Sequence, residues 1–428
     1  MSTAGTRARV RRGLVPALLR DQVFRRYWSA TTVSLFGDQV SSIAVPLTAV
    51  LALHAGAAEM GFLTALQWLP SLLFGMHAGA WADQRGRRRE TMIACDLGRF
   101  LLLATVPVCY ALHVLTLWQL LAVVFAAGTL SALFSVCDGT LFVSIVEPSR
   151  YVDGQSLIYG SRALSFMGGP SLGGLLTQLL SAPFAIAADS LSFLGSAFFL
   201  RRISPAEPPA DDGTGGVLAG LSFIARSAIV RSSLIGVAVI NFFNLMFSAL
   251  VTLYAIRVLH VPAGVLGLVL GAGAAGGVIG AALTKRLCAR LGAGLTYVLG
   301  CLGFTAPLAL VPLAPVPVLV AGHGAVTGEP AVLAMLFAAE FLSGFGVMVL
   351  DISIAAIFAV VIPPSVRSRV SGAFQAINYG TRPPGALLGG LLGSVLGLRE
   401  ALWIAVAGAV AGALLLLPSP LPGFRMPG

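Results

Sequence analysis

Gly79-Ala80-Trp81-Ala82-Asp83-Gln84-Arg85-Gly86-Arg87-Arg88-Arg89 stands between two apolar stretches, 60–82 and 91–113. Each is long enough to cross a hydrocarbon core of about 30 Å as a helix. Gly79 permits a close helix approach, Gly86 allows a tight turn, and Asp83 sets one carboxylate among arginines where the chain leaves the membrane. Outward from this hairpin the alternation continues: apolar stretches of about 20 residues recur from Tyr27 to Leu417 with short breaks between them. Of the 428 residues, 57% are hydrophobic and 10% charged, whereas soluble domains carry roughly 25% charged residues. At a mean hydropathy of +0.91 the chain cannot be a water-soluble globule, and the membrane is its solvent.

The spans read as 27–53, 60–82, 91–113, 117–144, 154–180, 182–201, 231–258, 264–284, 292–313, 329–358, 371–397 and 400–418, an all-α integral membrane protein of twelve transmembrane helices. Of 27 basic residues, only Arg257 and Arg399 fall in odd-numbered loops, and Arg99, Arg162 and Arg382 fall within spans. The rest occupy the arm, the even-numbered loops and the tail. Because Arg and Lys favour the cytoplasmic side, both termini are expected there, in a multi-pass inner (plasma) membrane protein. The apolar run after the Arg-rich arm 1–26 is too long for a signal-peptide core and lacks an obvious small-residue cleavage site, so it is expected to be a retained first span. The Pro-, Gly- and Asp-rich linker within 202–230 divides the chain into six-span bundles, 27–201 and 231–418, with a cytoplasmic tail at 419–428. Val217 to Ala228, of mixed polarity, reads as a short interfacial helix.

The two halves repeat one another. Tyr159-Gly160-Ser161-Arg162 recurs as Tyr379-Gly380-Thr381-Arg382, and Gly169…Gly173-Gly174-Leu175-Leu176 recurs as Gly385…Gly389-Gly390-Leu391-Leu392, the two matches differing in offset by four residues. Parallel repeats of six spans place a substrate site near the midplane between the halves.

Several function classes drop out. The net charge of +10 lies between apolar stretches rather than on one folded face, so no nucleic-acid partner is expected. Lys285 is the only lysine, and no phosphate loop can be assembled around it. The five cysteines lack metal-ligand spacing, and the five histidines form neither an HExxH pair nor part of a nucleophile elbow. No metal, no cofactor and no enzymatic activity are expected.

The 79–89 stretch resembles the loop signature of the major facilitator superfamily. In that family the residue matching Asp83 latches the cytoplasmic side against the start of span eleven; the bland alternative is a loop that only fixes topology. Gly79, Asp83, Arg85, Gly86 and Arg87 are therefore candidate gate residues. The matching loop of the second half keeps Gly280, Lys285, Arg286 and Arg290 but has Thr284 in place of Asp83, so a latch there must be weaker. Gly169-Pro170-Ser171-Leu172-Gly173-Gly174 resembles the core of the motif carried by the family's exporters and antiporters, with Ser156 and Ser165 where glycine is usual. Proline bends a membrane helix and glycine lets it pack closely, which suits a pivot or seal and equally an ordinary kinked packing helix. Phe24-Arg25-Arg26-Tyr27-Trp28, Ser34-Leu35-Phe36-Gly37-Asp38 and Ala188-Asp189-Ser190-Leu191-Ser192-Phe193-Leu194 are similar to the macrolide-efflux and enterobactin-exporter group. The resemblance implies a major facilitator fold of two pseudo-symmetric six-helix bundles and proton-driven export of antibiotics, siderophores or other amphipathic molecules.

An ionisable group inside a span costs at least about 2.5–3.5 kcal/mol on insertion scales and is a functional candidate by default. Asp38, mid-span one, is the first candidate for carrying a proton, against a structural pairing with an Arg; Glu340 of span ten is the second. Gln67, Asn241 and Asn244 offer neutral hydrogen bonds to a broad-specificity cavity, and Trp68, Phe242 and Phe243 an apolar wall. Asp96 and Arg99, three apart on one helical face, are expected to neutralise each other. Asp138, Arg162, Asp351 and Arg382 complete an intramembrane charge network, in which the arginines pair with the aspartates or bind an anionic group of a substrate. Asp189 is expected to be a structural hydrogen-bonding residue. The expected partners are membrane lipid, protons and a small amphipathic substrate, handled by a monomer working by alternating access. A flippase or importer on the same fold is the rival reading, with a membrane enzyme or scaffold more remote.

Overall fold

The computed structural model describes residues 16–85, 87–147, 150–204, 217–316, 318–319, 326–327, 329–363 and 366–425. Arm residues 1–15, Gly86, linker residues 205–216 and tail residues 426–428 lie outside the described residues, as do the side chains over 75–86, those of Asp83 and Arg85 and the small-residue position Gly79 among them.

Twelve helical segments cross the membrane, six on each side of the linker. The first bundle is α1 (Gln22–Leu47), α2 (Ala57–Arg85), α3 (Arg88–Ala111), α4 (Leu117–Ile145), α5 (Tyr151–Leu180) and α6 (Ala182–Arg201). After the linker helix α7 (Val217–Arg226) come α8 (Ala228–Arg257), α9 (Ala263–Leu291), and α10 (Ala293–Thr305) extended by α11 (Leu310–Leu313). The chain ends with α12 (Glu329–Val361), a segment broken into α13 (Arg367–Gly380) and α14 (Arg382–Val395), and α15 (Leu398–Leu414). Among the described residues, the only strands are β1 (Val318–Leu319) and β2 (Val326–Thr327), paired antiparallel before α12. Among the described residues, eight helical stretches are by length and composition apolar enough to cross a bilayer. In hydrocarbon every backbone polar group must be satisfied within its own segment, which leaves helix as the form available to such stretches.

Local chemistry sets the helix ends. Asp21 accepts from the amides of Val23 (2.7 Å) and Phe24 (3.1 Å) to cap α1, and Thr116 and Ser227 cap α4 and α8 in the same way. The turns preserve the repeat in their backbones: His54 and His260 both hold positive φ before α2 and α9, and Ser181 and Gly397 do so before α6 and α15. The linker helix uses Ile224 and Phe223 to join a buried cluster with Val370 and Ala373 of α13, which ties the linker to the second bundle.

Call the membrane face that carries the turns α1–α2, α3–α4 and α5–α6, with their second-half counterparts, the odd-loop side. There the bundles meet through two glycine contacts that the repeat makes equivalent. A Cβ on Gly61 of α2 would stand 2.7 Å from Cα of Gly390 of α14, and one on Gly174 of α5 would stand 2.8 Å from Cα of Gly267 of α9. Only glycine lets backbone approach backbone this closely. Toward the opposite, even-loop side the packing loosens: a Cβ on Gly160 of α5 or Gly372 of α13 would meet nothing within 4 Å. Among the described glycines, the tight contacts between the bundles therefore lie at the odd-loop side, which forms the seal.

The antiporter-like motif lies within this seal. Gly169 and Gly173 face Gln39 and Val40 of α1, while Gly174 faces Gly267 across the boundary, where the carbonyl of Pro170 also approaches. In the second half Thr284 is buried and its hydroxyl donates to Gly280 O at 2.7 Å, so the residue replacing the acid is bonded to its own helix.

Candidate functional site

Two neighbouring cavities carry the polar groups. The central one, about 530 Å³, lies between the bundles on the even-loop side of the glycine contacts. Gln67 and Trp68 from α2, Asn241 and Asn244 from α8, Asp351 from α12 and Arg382 from α14 line it. The second, about 430 Å³, lies in the first bundle among α1, α2, α3, α4 and α6, and Asp38, Arg99 and Asp189 open onto it. Ser42 and Gln67 line both, so the two spaces are adjoining compartments of one site.

The second compartment has two carboxylates, Asp38 and Asp189, open to it together with Arg99. Arg99 is buried and ion-paired with Asp96 one helical turn away, donates to the Ser131 hydroxyl at 3.3 Å, and lies 4.0 Å over the Phe193 ring and 4.5 Å over Phe134. Asp189 accepts from the hydroxyls of Ser41 and, at 3.2 Å, Ser192. Gly37 makes room for that arrangement, since a Cβ there would collide with both Asp189 and Ser192. Asp38, on α1 beside Gly37, faces the same space with its side chain open to it. α6 thus brings its Asp189 to the compartment of Asp38, so that its hydrogen-bonding residue is also part of the polar cluster. The serines at 41 and 192, one turn from Asp38 and Asp189 respectively, are the signal in the sequence that could have found this.

The structure separates other candidates. Glu340 lies on the same face of α12 as Asp351 but eleven residues toward the odd-loop side, about 16 Å along the helix. It packs against Gly273 of α9 and does not line the central cavity, which Asp351 reaches. Asp138 accepts from the Tyr27 hydroxyl at 2.7 Å, and Arg162 is exposed with its guanidinium 5.8 Å from the Tyr159 ring. No ion pair joins Arg162 to Asp138 or Arg382 to Asp351. Arg87 is exposed and pairs with Glu90 at 3.4 Å.

The register of the eleventh span explains why the two motif arginines differ. Pro383 and Pro384 have no amide hydrogen and α13 ends at Gly380, where Thr381 donates its hydroxyl to Asn378 O at 2.9 Å. With Gly173 and Gly174 aligned on Gly389 and Gly390, Arg162 falls opposite Asn378 and Arg382 opposite Phe166. Arg382 is one turn nearer the seal, about 6 Å deeper, and so enters the cavity. Asn378 also lines that cavity, and its Oδ1 is buried without a hydrogen-bond partner. Its place was missed because the repeated tetrapeptide suggested the wrong register.

A third, apolar space of about 500 Å³ lies among α5, α9 and α12. It shares Leu270, Val347 and Asp351 with the central cavity and is otherwise walled by groups such as Phe166, Met167 and Val278.

The comparisons agree with this architecture. The chain is 28% identical over 231 residues to an uncharacterised MFS-type transporter, YfiS, of Bacillus subtilis; the match covers 50% of this chain and spans about half (52%) of the relative. Its fold is similar to that of the nucleoside transporter NupG (TM-score 0.73, 11% identity, 93% of this chain and 99% of that one). It is equally similar to a bacterial homologue of the iron transporter ferroportin in its inward-facing state (TM-score 0.73, 18% identity, 94% and 99%). Residues 27–328 match the profile of the Major Facilitator Superfamily, and the chain belongs to that family.

Proposed function

We propose that this transporter is a proton-coupled exporter that moves a small amphipathic compound by alternating access. The observation that carries the proposal is the compartment onto which Asp38 and Asp189 open beside Arg99, itself paired with Asp96, and which adjoins the central cavity through Ser42 and Gln67. Arg99 is already paired with Asp96, so it does not cancel the carboxylates of Asp38 and Asp189, and binding or releasing a proton at either changes the charge beside the cargo. Such a change biases an equilibrium only if the two states differ in their affinity for the proton. The bundles provide the two states, since the seal and the cavity lie at opposite ends of one interface. Under the positive-inside rule the open end is cytoplasmic, which suits loading for export. The resemblance to macrolide and siderophore exporters supports the same direction.

Proton release from acidified everted vesicles, measured as compounds of macrolide-like, cationic and siderophore-like type are added, tests the proposal. Wild type is expected to discharge the gradient with at least one class, and Asp38→Asn to lose roughly tenfold or more of that rate. An unaltered signal in Asp38→Asn removes the proton role from Asp38 and transfers it to Asp189.

A lipid-type flippase is the second reading, favoured by the apolar space among α5, α9 and α12 that runs into the polar cavity at Asp351. Retention of a labelled lysolipid in one leaflet, with gradient discharge by soluble compounds, decides against it.

A further inference from the structure

Arg382 has the surroundings of a receptor for an anion. Its position is about halfway along the eleventh span, where a charge without a partner is expensive. Its guanidinium lies 4.0 Å over the ring of Trp68 and 4.7 Å over that of Tyr379, and the two rings are themselves 5.8 Å apart. Two aromatic rings against one guanidinium restrict how it can turn while using none of its hydrogen-bond donors. Among the described residues no carboxylate pairs with it, and its Nε is buried without a hydrogen-bond partner. The two prolines that follow remove the backbone amides which, at most helix starts, would take an anion, so the side chain is the donor at this point of the cavity.

We propose that Arg382 binds a carboxylate or phosphate group of the cargo inside the central cavity, held in orientation by Trp68 and Tyr379. This rests on the transport reading and narrows it: the cargo is an amphipath whose polar end is anionic. The apolar body of such a molecule fits the space among α5, α9 and α12 that joins the cavity at Leu270 and Val347. Because Trp68 belongs to the first bundle and Arg382 to the second, an anion seated here touches the boundary across which the halves move.

The test uses the full chain in lipid nanodiscs and probes matched in shape but not charge: 2-naphthoate, 2-naphthamide and 2-naphthylmethylammonium, with lysophosphatidylglycerol and a phosphate-free monoacylglycerol of the same chain as a second set. Binding is read by calorimetry and by quenching of tryptophan fluorescence. The expected result is at least tenfold tighter binding of the anionic member of one set, a preference lost in Arg382→Gln, partly restored in Arg382→Lys and unaltered in Arg162→Gln. Preference confined to the lysolipids assigns the site to a lipid headgroup, and preference for naphthoate assigns it to a soluble organic acid. Equal binding of charged and neutral members, no binding of either anion, or a preference that survives in Arg382→Gln overturns the proposal. Counterflow of any neutral or cationic compound by Arg382→Gln in proteoliposomes separates that failure from failure of the transport reading, since such a variant would still be a carrier.

Discussion

Gly174→Ala is expected to slow transport roughly tenfold by favouring the state open on the odd-loop side, with the protein still folded in the membrane. The new methyl carbon would stand 2.8 Å from Cα of Gly267 and 2.9 Å from the carbonyl oxygen of Ala263. Both neighbours are backbone, so neither can swing aside, and α5 and α9 must separate. Overpacking of this kind costs about 1–3 kcal/mol, and it falls only on the state in which the two helices touch. A full reversal from 99:1 to 1:99 needs about 5.5 kcal/mol, so one alanine shifts the equilibrium without abolishing it. Gly174→Ala combined with Gly390→Ala, at the separate contact with Gly61, is expected to go further because the sites do not share neighbours. The measurement is the labelling rate of Ser42→Cys, in a chain cleared of native cysteines, by a membrane-impermeant thiol reagent added from the odd-loop side. A rate that does not rise in the single or the double variant refutes the assignment of these contacts as the seal.

Arg99→Leu is expected to destabilise the first bundle by about 3–5 kcal/mol, because it leaves Asp96, fully buried, without its charge partner. Removing both charges together, as Asp96→Leu with Arg99→Leu, is expected to recover much of that loss, since a buried ion pair is often no more stable than apolar groups of similar volume. Thermal unfolding of the purified variants in detergent checks both. Arg99 also borders the compartment of Asp38 and Asp189, so the recovered double variant is expected to fold and yet fail to couple protons. If Arg99→Leu melts at the wild-type temperature, the pair is not holding the bundle together.

The fold was legible in the sequence because membrane helices are long and their pattern is coarse. All twelve spans were found, and the short helix before α8 stood out from its mixed polarity. The interruption at Thr381 was written in Pro383 and Pro384 but was read past. The site was less legible. Apart from the face carrying Glu340 and Asp351, α12 is almost wholly apolar, so nothing in its pattern told how deep the cavity reaches, and depth is what separates Asp351 from Glu340. The partnership of Asp38 with Asp189 joins the first span to the sixth, a contact set by helix packing rather than by local sequence. Arg162 and Arg382 close nearly matching tetrapeptides, and only the glycine contacts fixed the register in which they could be compared.

The paired glycine contacts have one more consequence. Gly61 and Gly174 of the first half meet Gly390 and Gly267 of the second, and each pair is the image of the other under exchange of the halves. This is the geometry of an isologous dimer, in which the same patch is used twice around a twofold axis. Joined in one chain by the linker, the two patches are free to diverge, which no homodimer can do. One seam can therefore be made looser than its twin, and the molecule can open as a wedge on one flank of the cavity before the other.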